Sequence, residues 1–281
     1  NHGGMYEMLR RLRETNGTAA DNLFRAMGLD YRYVADGNDT EALIAAFAAV
    51  KDSQKPVVIH IHTQKGKGLS FAEDDPEDWH RHAPFHTESG AVKHPSAPDP
   101  CLAATIDFVL AEAKRNPNFV YLSAGIVGGI GLTPAERAEL GVQYIDVGIA
   151  EEHAVAMASG LARGGARPIF GTYSTFFQRV YDQMSQDVAV NNNPAVFLST
   201  YATLYGMNDV THLGFFDIPL FANIPNLVFL APAGLEEYLA VLRWALAQTA
   251  HPVMIRVPVM GYETSPYPVR TDYSALNLYQ V

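Results

Sequence analysis

The stretch that decides the fold is YIDVGIAEEHAVAMASGLARGGARPIFGTYSTF, residues 144–176. A β-branched, apolar run at 145–149 is followed by two acids, Glu151 and Glu152, and then by a tract of small residues. That tract predicts a helix over 151–163 that packs closely against its neighbours, and RPIFGTY predicts the next strand. Acids at a helix start suit the helix dipole, which alone could explain both of them. The carboxyl edge of a parallel strand is also where open α/β sheets bind ligands.

Helical and strand patterns alternate along most of the remaining sequence. Helices are predicted outside the opening stretch at residues 5–14, 18–27, 40–50, 101–115, 175–190 and 234–249. Strands are predicted around residues 30–34, 57–64, 119–125, 144–148, 167–173, 195–200, 227–232 and 252–258. Such alternation predicts an α/β fold with parallel sheets.

The segment 72–100 interrupts this alternation and suggests how the domains are divided. It is rich in proline and acidic residues and shows no periodicity. Long segments of this kind are functional loops or linkers. We therefore expect one module over 1–71, a second over 101–260, and a linker over 261–281.

Composition excludes several classes of function. The formal charge of -10 disfavours nucleic acids and anionic membranes as partners, because phosphate binding needs clustered Lys and Arg. Cys101 is the single cysteine, so it cannot form a disulfide within the chain, and its place in an apolar helical pattern favours a packed thiol over a nucleophile. No run reaches the roughly 18 apolar residues of a membrane span. These features predict a cytoplasmic protein.

Longer segments carry a resemblance to a known family. DVGIAEEHAVAMASGLA, residues 146–162, is similar to the pyrimidine-domain signature of thiamine-diphosphate enzymes, and in particular of the 1-deoxy-D-xylulose-5-phosphate synthase and transketolase family. Further blocks follow the family order: KGKG at 65–68, DPEDWH at 75–80, YSTFFQRVYDQ at 173–183, THLGFFD at 211–217 and IPNLVFLAP at 224–232. The resemblance implies a parallel-sheet thiamine-diphosphate fold, with part of a diphosphate-binding domain over 1–71 and a complete pyrimidine-binding domain over 101–260.

The resemblance also assigns residues to the cofactor. Glu151 aligns with the carboxylate that hydrogen-bonds N1′ of the aminopyrimidine and favours the tautomer that removes the thiazolium C2 proton. Tyr173 and Phe176 occupy the positions of aromatic residues that offer the pyrimidine a face. Lys65 corresponds to a cation near the diphosphate.

Two histidines match family active-site positions. His80 follows Trp79 and His212 follows Thr211, and histidine is the natural proton carrier near neutral pH. We therefore expect both to be catalytic, together with Glu151. A zinc site is disfavoured, because the histidines of HRHAPFH lack helical spacing and cysteine partners.

The expected substrate site departs from the family pattern. Tyr201 stands where the family has an arginine, and Asn208, followed by Asp209, stands where it has an aspartate. A second family arginine is replaced by Val259. Arg179 and Arg256 still match, so the five residues Arg179, Tyr201, Asn208, Asp209 and Arg256 are the predicted substrate contacts. Because arginine forks recognise phosphate, their loss predicts an acceptor other than glyceraldehyde 3-phosphate, or one that carries its phosphate elsewhere.

Cofactors and partners follow from the same resemblance. We expect thiamine diphosphate and Mg²⁺, a 2-oxoacid or ketose donor, an aldehyde acceptor, and a homodimer or higher assembly. The family's Gly-Asp-Gly…Asn magnesium segment and its third domain are not found in the 281 residues. This predicts a subunit completed by another chain, or a fragment of a longer enzyme, with the magnesium ligands elsewhere.

Three alternatives to a synthase-like reaction remain open. One is two-carbon transfer of the transketolase type. Another is the β subunit of a 2-oxoacid dehydrogenase, which KGKG and the Trp-His segment ahead of the pyrimidine domain disfavour. The third is a regulatory or structural subunit that does not bind the cofactor.

Overall fold

The computed structural model describes residues 3–80, 82–95, 99–126, 130–203, 211–258 and Tyr262. The chain divides into two compact units, residues 1–96 and 97–281. The strand pairings of both sheets are parallel. The predicted α/β class with parallel sheets is therefore confirmed. Within the described ranges, no helix combines the length and the apolar character needed to cross a bilayer.

The first unit is built on a two-stranded sheet. Its elements are α1 Gly4–Glu14, α2 Leu23–Ala26, β1 Asp30–Val34, α3 Thr40–Ala48, β2 Val57–Ile61 and α4 Ser70–Asp74. Strand β1 pairs with β2 so that Asp30 lies opposite Val57. Helix α3 begins where the Asp39 carboxylate accepts hydrogen bonds from the amides of Glu41 and Ala42, which is a standard N-cap.

The helix predicted at 18–27 is wrong in extent, because α2 covers only Leu23–Ala26. Polar side chains just before α2 form hydrogen bonds with nearby backbone groups, and these bonds take the place of a longer helix. The Thr18 hydroxyl donates to the Thr15 carbonyl at 2.7 Å, and Asn22 Oδ1 accepts from the Phe24 amide at 3.0 Å. Such bonds compete with helix formation and favour a turn followed by a cap.

Residues 72–95 of the predicted linker belong to the first unit and contain packed rings. Trp79, in the 3₁₀ turn Asp78–His80, stacks on His82 with ring centroids 4.0 Å apart. Phe71 and Phe85 contact the Trp79 ring at 4.6 and 4.7 Å. Absence of sequence periodicity therefore does not mean absence of packing here.

In the part of the second unit that the structure describes, six strands form one sheet with helices on both faces. Its elements are α5 Pro100–Arg115, β3 Phe119–Ser123, α6 Pro134–Leu140, β4 Tyr144–Asp146, α7 Glu151–Arg163, β5 Arg167–Tyr173, β6 Val196–Thr200, α8 Asp217–Phe221, β7 Val228–Leu230, α9 Leu235–Ala247 and β8 Val253–Arg256. The strand order is β4-β3-β5-β6-β8-β7. Successive strand residues point to opposite faces. Alternate residues such as Tyr121 and Leu122 therefore enter two separate buried cores, one with α5 and α9 and the other with α7.

Two further differences from the predicted helices concern the second unit. Helix α6 was not predicted, although Thr133 and Glu136 form a capping box, with Thr133 N donating to Glu136 Oε2 at 2.7 Å. The predicted α-helix at 175–190 is a 3₁₀ turn over Phe176–Val180 followed by a π-helix over Gln183–Ala189. Apolar spacing alone does not separate these helix types.

Candidate functional site

Glu151 is the first residue of α7 and is almost completely buried, with 1% of its surface exposed. The turn that delivers it is held by Asp146, whose Oδ1 accepts from the amides of Gly148 at 2.8 Å and Gly125 at 3.0 Å. Gly148 has φ +74, which favours glycine. The carboxylate thus enters the protein interior at the carboxyl edge of the sheet.

Arg179 is the partner of this carboxylate. Its Nη1 donates to Glu151 Oε2 at 2.9 Å. The two side chains differ in burial, with 44% exposure for Arg179 and 2% for Glu151. A buried carboxylate is stable only when it is paired or hydrogen-bonded. From the solvent side, Arg179 therefore supplies the hydrogen bond and the opposite charge that the buried Glu151 carboxylate requires.

The 3₁₀ turn at Phe176–Val180 explains where this arginine lies. Residues three apart eclipse each other in a 3₁₀ helix, and Arg179 Cζ lies 5.9 Å from the centre of the Phe176 ring. The Phe176 ring stacks on Tyr173, with centroids 5.7 Å apart and an interplanar angle of 13°. A buried carboxylate, a cation and two stacked rings are thus brought together.

Tyr201 and His212 extend the ring cluster. The Tyr201 ring lies 4.2 Å from that of Tyr173. His212 meets Phe176 edge-on at 5.4 Å and Tyr173 at 6.2 Å. His212 Nδ1 lies 2.8 Å from the Thr211 hydroxyl, which orients the imidazole. These two residues, which both lie between β6 and α8, therefore meet the aromatic surface formed after β5.

Arg256 has a different environment from the one predicted. Its guanidinium pairs with the buried Asp217 carboxylate at 2.6 and 3.2 Å, and Nη2 also donates to the carbonyls of Ala202 at 2.8 Å and Gly214 at 3.4 Å. These contacts tie together the chain on both sides of the segment that carries His212. They favour a structural role for Arg256, and the predicted substrate contact stays a prediction.

Tyr201 and Gly214 show how closely the two ends of this segment approach. A Cβ placed on Gly214 would lie 1.9 Å from the Tyr201 carbonyl oxygen, so only glycine fits there. Tyr201 itself has φ +55, a left-handed conformation that is uncommon for an aromatic residue. The tyrosine at the family's arginine position is therefore held in a constrained backbone.

Lys65 and His80 belong to the first unit and contact each other. Lys65 Nζ lies 2.5 Å from His80 Nδ1, and both side chains are exposed. The predicted diphosphate cation and one predicted catalytic histidine are therefore neighbours.

The remaining predicted positions have plain outcomes. Asn208 and Asp209 lie outside the described residues. Cys101 is 2% exposed, and burial raises the pKa of its thiol, as befits a packed side chain. Among the described residues there is no group of three or more His, Cys, Asp or Glu that could hold a metal ion.

Two features of the site were missed by sequence reasoning. Asp217 closes the quoted THLGFFD block, yet its buried pairing with Arg256, 39 positions later in the sequence, could not be predicted from local spacing. The Glu151–Arg179 pair was missed for the same reason, although both residues were singled out. A buried acid within a family block is the one signal that could have suggested a nearby arginine.

Comparison with known proteins decides the family. The family described as "Transketolase, pyrimidine binding domain" matches residues 103–264, and that described as "1-deoxy-D-xylulose-5-phosphate synthase" matches residues 2–63. The chain belongs to the transketolase and 1-deoxy-D-xylulose-5-phosphate synthase family. Members of this family are thiamine-diphosphate-dependent transferases.

Individual relatives agree with this family assignment. The 1-deoxy-D-xylulose-5-phosphate synthase of Clostridium acetobutylicum is 36% identical over 243 residues, which is 86% of this chain and 39% of the relative. The synthase of Trichormus variabilis is 37% identical over 84% of this chain and 37% of the relative. The chain thus spans about two fifths of the length of these relatives. A transketolase structure from Pichia stipitis has a TM-score of 0.52 and 18% identity over 80% of this chain and 32% of that one, which shows the shared fold.

Proposed function

We propose that this transketolase and synthase family member forms carbon–carbon bonds with thiamine diphosphate, by decarboxylating a 2-oxoacid such as pyruvate and transferring the remaining fragment to an aldehyde. The observation that carries the proposal is the buried Glu151 carboxylate beside the stacked Tyr173 and Phe176 rings. Family membership supports the cofactor class. The choice of donor and acceptor is our inference.

The chemistry of these residues fits the cofactor's aminopyrimidine. Glu151 would hold ring nitrogen N1′ through one carboxyl oxygen, and Tyr173 or Phe176 would cover one ring face. When bound, the cofactor supplies an acidic carbon and an electron sink. Burial of Glu151 excludes water from its hydrogen bond and so strengthens it.

The remaining proposed roles fall to two histidines and a lysine, with His212 in the second unit and His80 and Lys65 in the first. We assign proton transfer to His212, whose ring lies edge-on to Phe176, and to His80. Lys65, 2.5 Å from His80, would neutralise part of the diphosphate charge. For magnesium and the rest of the diphosphate contacts we propose protein segments or a second chain beyond these 281 residues, in a dimer or larger cytoplasmic assembly.

The acceptor is proposed to lack a phosphate at the family's usual position. Tyr201 replaces an arginine, and its ring packs on Tyr173 instead of offering charge. Arg256 is already engaged by Asp217 and two carbonyls. Both observations favour an uncharged or apolar aldehyde over glyceraldehyde 3-phosphate.

The test of the proposed function is a titration of thiamine diphosphate and Mg²⁺ into the chain, alone and mixed with its completing chain. Calorimetry reports binding, and carbon dioxide release from pyruvate reports turnover. Binding with release supports the proposal, and binding without release favours a ketose donor and transfer of the transketolase type. No binding in either mixture contradicts the proposal and favours a regulatory or structural subunit.

The acceptor is tested by comparing kcat/KM for glyceraldehyde 3-phosphate and for unphosphorylated aldehydes. We expect the unphosphorylated aldehyde to be preferred. Tyr201→Arg should shift the ratio toward the phosphorylated one by about tenfold or more, because a fork to phosphate contributes over 1.4 kcal/mol. Tyr201→Phe is the matched control and should leave the ratio unchanged. A clear preference of the unmodified chain for glyceraldehyde 3-phosphate overturns this part of the proposal.

A further inference from the structure

The ion pair between Glu151 and Arg179 is unequal in its surroundings. The carboxylate is 2% exposed, whereas the guanidinium is 44% exposed. Glu151 is fixed as the first residue of α7, but Arg179 ends a long flexible side chain that starts in the 3₁₀ turn. Of the two partners, therefore, the arginine is the one that can leave.

The pair also explains when the arginine would leave. Glu151 needs a counter-ion only while it is ionised, because an unpaired buried charge is costly. When a neutral ring nitrogen binds, one proton taken up from solvent is shared between that nitrogen and the Glu151 carboxylate, so the carboxyl is no longer a full anion. Its attraction for Arg179 then falls, since the charge–charge term is lost.

A second contact that could hold the freed guanidinium, with the Phe176 ring, is already present. Arg179 Cζ lies 5.9 Å from the centre of the Phe176 ring, so a cation–π contact holds the group near the site. The guanidinium would remain beside Tyr173 and Phe176 with its donors open to a ligand. Planar forks of this kind bind carboxylates and phosphates.

We propose that Arg179 is an exchangeable counter-ion, bound to Glu151 in the free protein and released to a small carboxylate or phosphate ligand when Glu151 is neutralised. The idea deepens the proposed function and rests on it for the identity of the neutralising ring. It makes ring binding and anion binding mutually reinforcing, since each favours the same separated state of the pair. It also assigns a ligand class, small anions, to the solvent side of the carboxylate.

The test uses no cofactor and no turnover, so it can fail independently of the proposed function. Glu151→Gln mimics the neutral carboxyl and frees Arg179. Pyruvate and inorganic phosphate are the two probes, titrated separately into the full chain by calorimetry. We expect at least one of the two probes to have a Kd for Glu151→Gln that is at least about tenfold lower than its Kd for the unmodified chain. Tighter binding of pyruvate alone indicates a carboxylate ligand, and tighter binding of phosphate alone indicates a phosphorylated one.

Three variants serve as controls. Glu152→Gln removes the same charge from an exposed neighbour and should leave both affinities unchanged within about twofold. Adding Arg179→Met to Glu151→Gln should abolish the gain, whereas adding Arg179→Lys should retain part of it. Glu151→Leu replaces Glu151→Gln if thermal unfolding shows that the latter does not fold.

The opposite results overturn the proposal. If the unmodified chain and Glu151→Gln bind a probe equally well, or if neither binds it, then neutralising Glu151 does not free Arg179 to bind an anion. A gain that survives Arg179→Met shows that another group binds the anion. A gain of the same size in Glu152→Gln shows that only the net charge matters.

Discussion

The two units of the chain differ in how completely they bury their apolar surface. In the second unit both faces of a six-stranded sheet are covered, and side chains such as Phe170 and Val253 are fully buried. In the first unit every residue of β2 is only half-buried, and Ile44 and Phe47 of α3 are 56% and 53% exposed. The buried Glu151 site lies in the unit with the complete core. A site that depends on a carboxylate shielded from water requires a unit with a complete core. The first unit instead exposes apolar surface of the kind that marks interaction sites.

The largest expected effect is a difference in hydrogen exchange between the units. The amides of β5 and β6 should exchange at least about a thousandfold more slowly than those of β1 and β2, because few buried contacts oppose opening of the first sheet. Hydrogen exchange of the intact chain, read by mass spectrometry, measures this directly. Equal protection in both sheets would show that the contrast in burial does not carry into stability.

The second expected effect concerns the contacts that Arg256 makes with the Asp217 carboxylate and with the carbonyls of Ala202 and Gly214. Arg256→Met leaves the Asp217 carboxylate, which is fully buried, without its partner. The free energy of unfolding should fall by about 3–5 kcal/mol. Arg243→Met changes an exposed arginine of the same unit and should cost little. Urea titration of both variants decides the matter, and similar losses in the two would contradict the structural role of Arg256.

The third expected effect is an asymmetry within the Glu151–Arg179 pair. Arg179→Met should destabilise the second unit by about 2 kcal/mol, which is less than the effect of Arg256→Met because Arg179 is half-exposed. Glu151→Gln should cost under about 1 kcal/mol. The double variant should recover most of the loss, because no buried charge remains. Arg163→Met on the exposed side of α7 is the control. Additive losses in the double variant would mean that the two side chains do not interact.

The smallest expected effect is a different pH response of the two units. Burial lowers the pKa of His60, whose Nδ1 lies 2.7 Å from the Tyr31 hydroxyl. The unfolded chain therefore takes up this proton first, and the first unit loses stability as pH falls below about 6.5. Burial raises the pKa of Tyr121 well above its usual value, so the second unit loses stability as pH rises above about 10. NMR cross-peaks of β1 and β3 report each limit. Burial also raises the pKa of Tyr31 in β1, so the contrast is tested at the acidic limit, where loss of β3 together with β1 would contradict it.

The elements that sequence predicted well are those with strong local signals. The helix predicted at 40–50 is present as α3, Thr40–Ala48, where the Asp39 carboxylate caps the first turn. The parallel α/β class followed from the alternation of helix and strand and is also confirmed. Helix α6 was missed although Thr133 and Glu136 carry its signature, so that miss was avoidable. The 3₁₀ turn and the π-helix after β5 could not have been predicted, since apolar spacing is similar in all three helix types.

The candidate site was predictable as a set of residues but not as an arrangement. Three separate family blocks supply Glu151, the pair Tyr173 and Phe176, and His212, and the structure brings them to one place. The pairing of Glu151 with Arg179 spans 28 positions and depends on how α7 meets the 3₁₀ turn. Tertiary contacts of this kind leave no trace in local spacing.

The central claim is that residue 151 supplies the carboxyl group that recognises a bound aminopyrimidine. The most direct measurement is difference electron density from crystals of the complete assembly soaked with thiamine diphosphate and Mg²⁺. The account predicts ring nitrogen N1′ about 3 Å from a Glu151 carboxyl oxygen, with the ring lying on Tyr173 or Phe176 and Arg179 turned away. Density for the ring elsewhere, or an intact ion pair between Glu151 and Arg179 beside a fully bound cofactor, would contradict it.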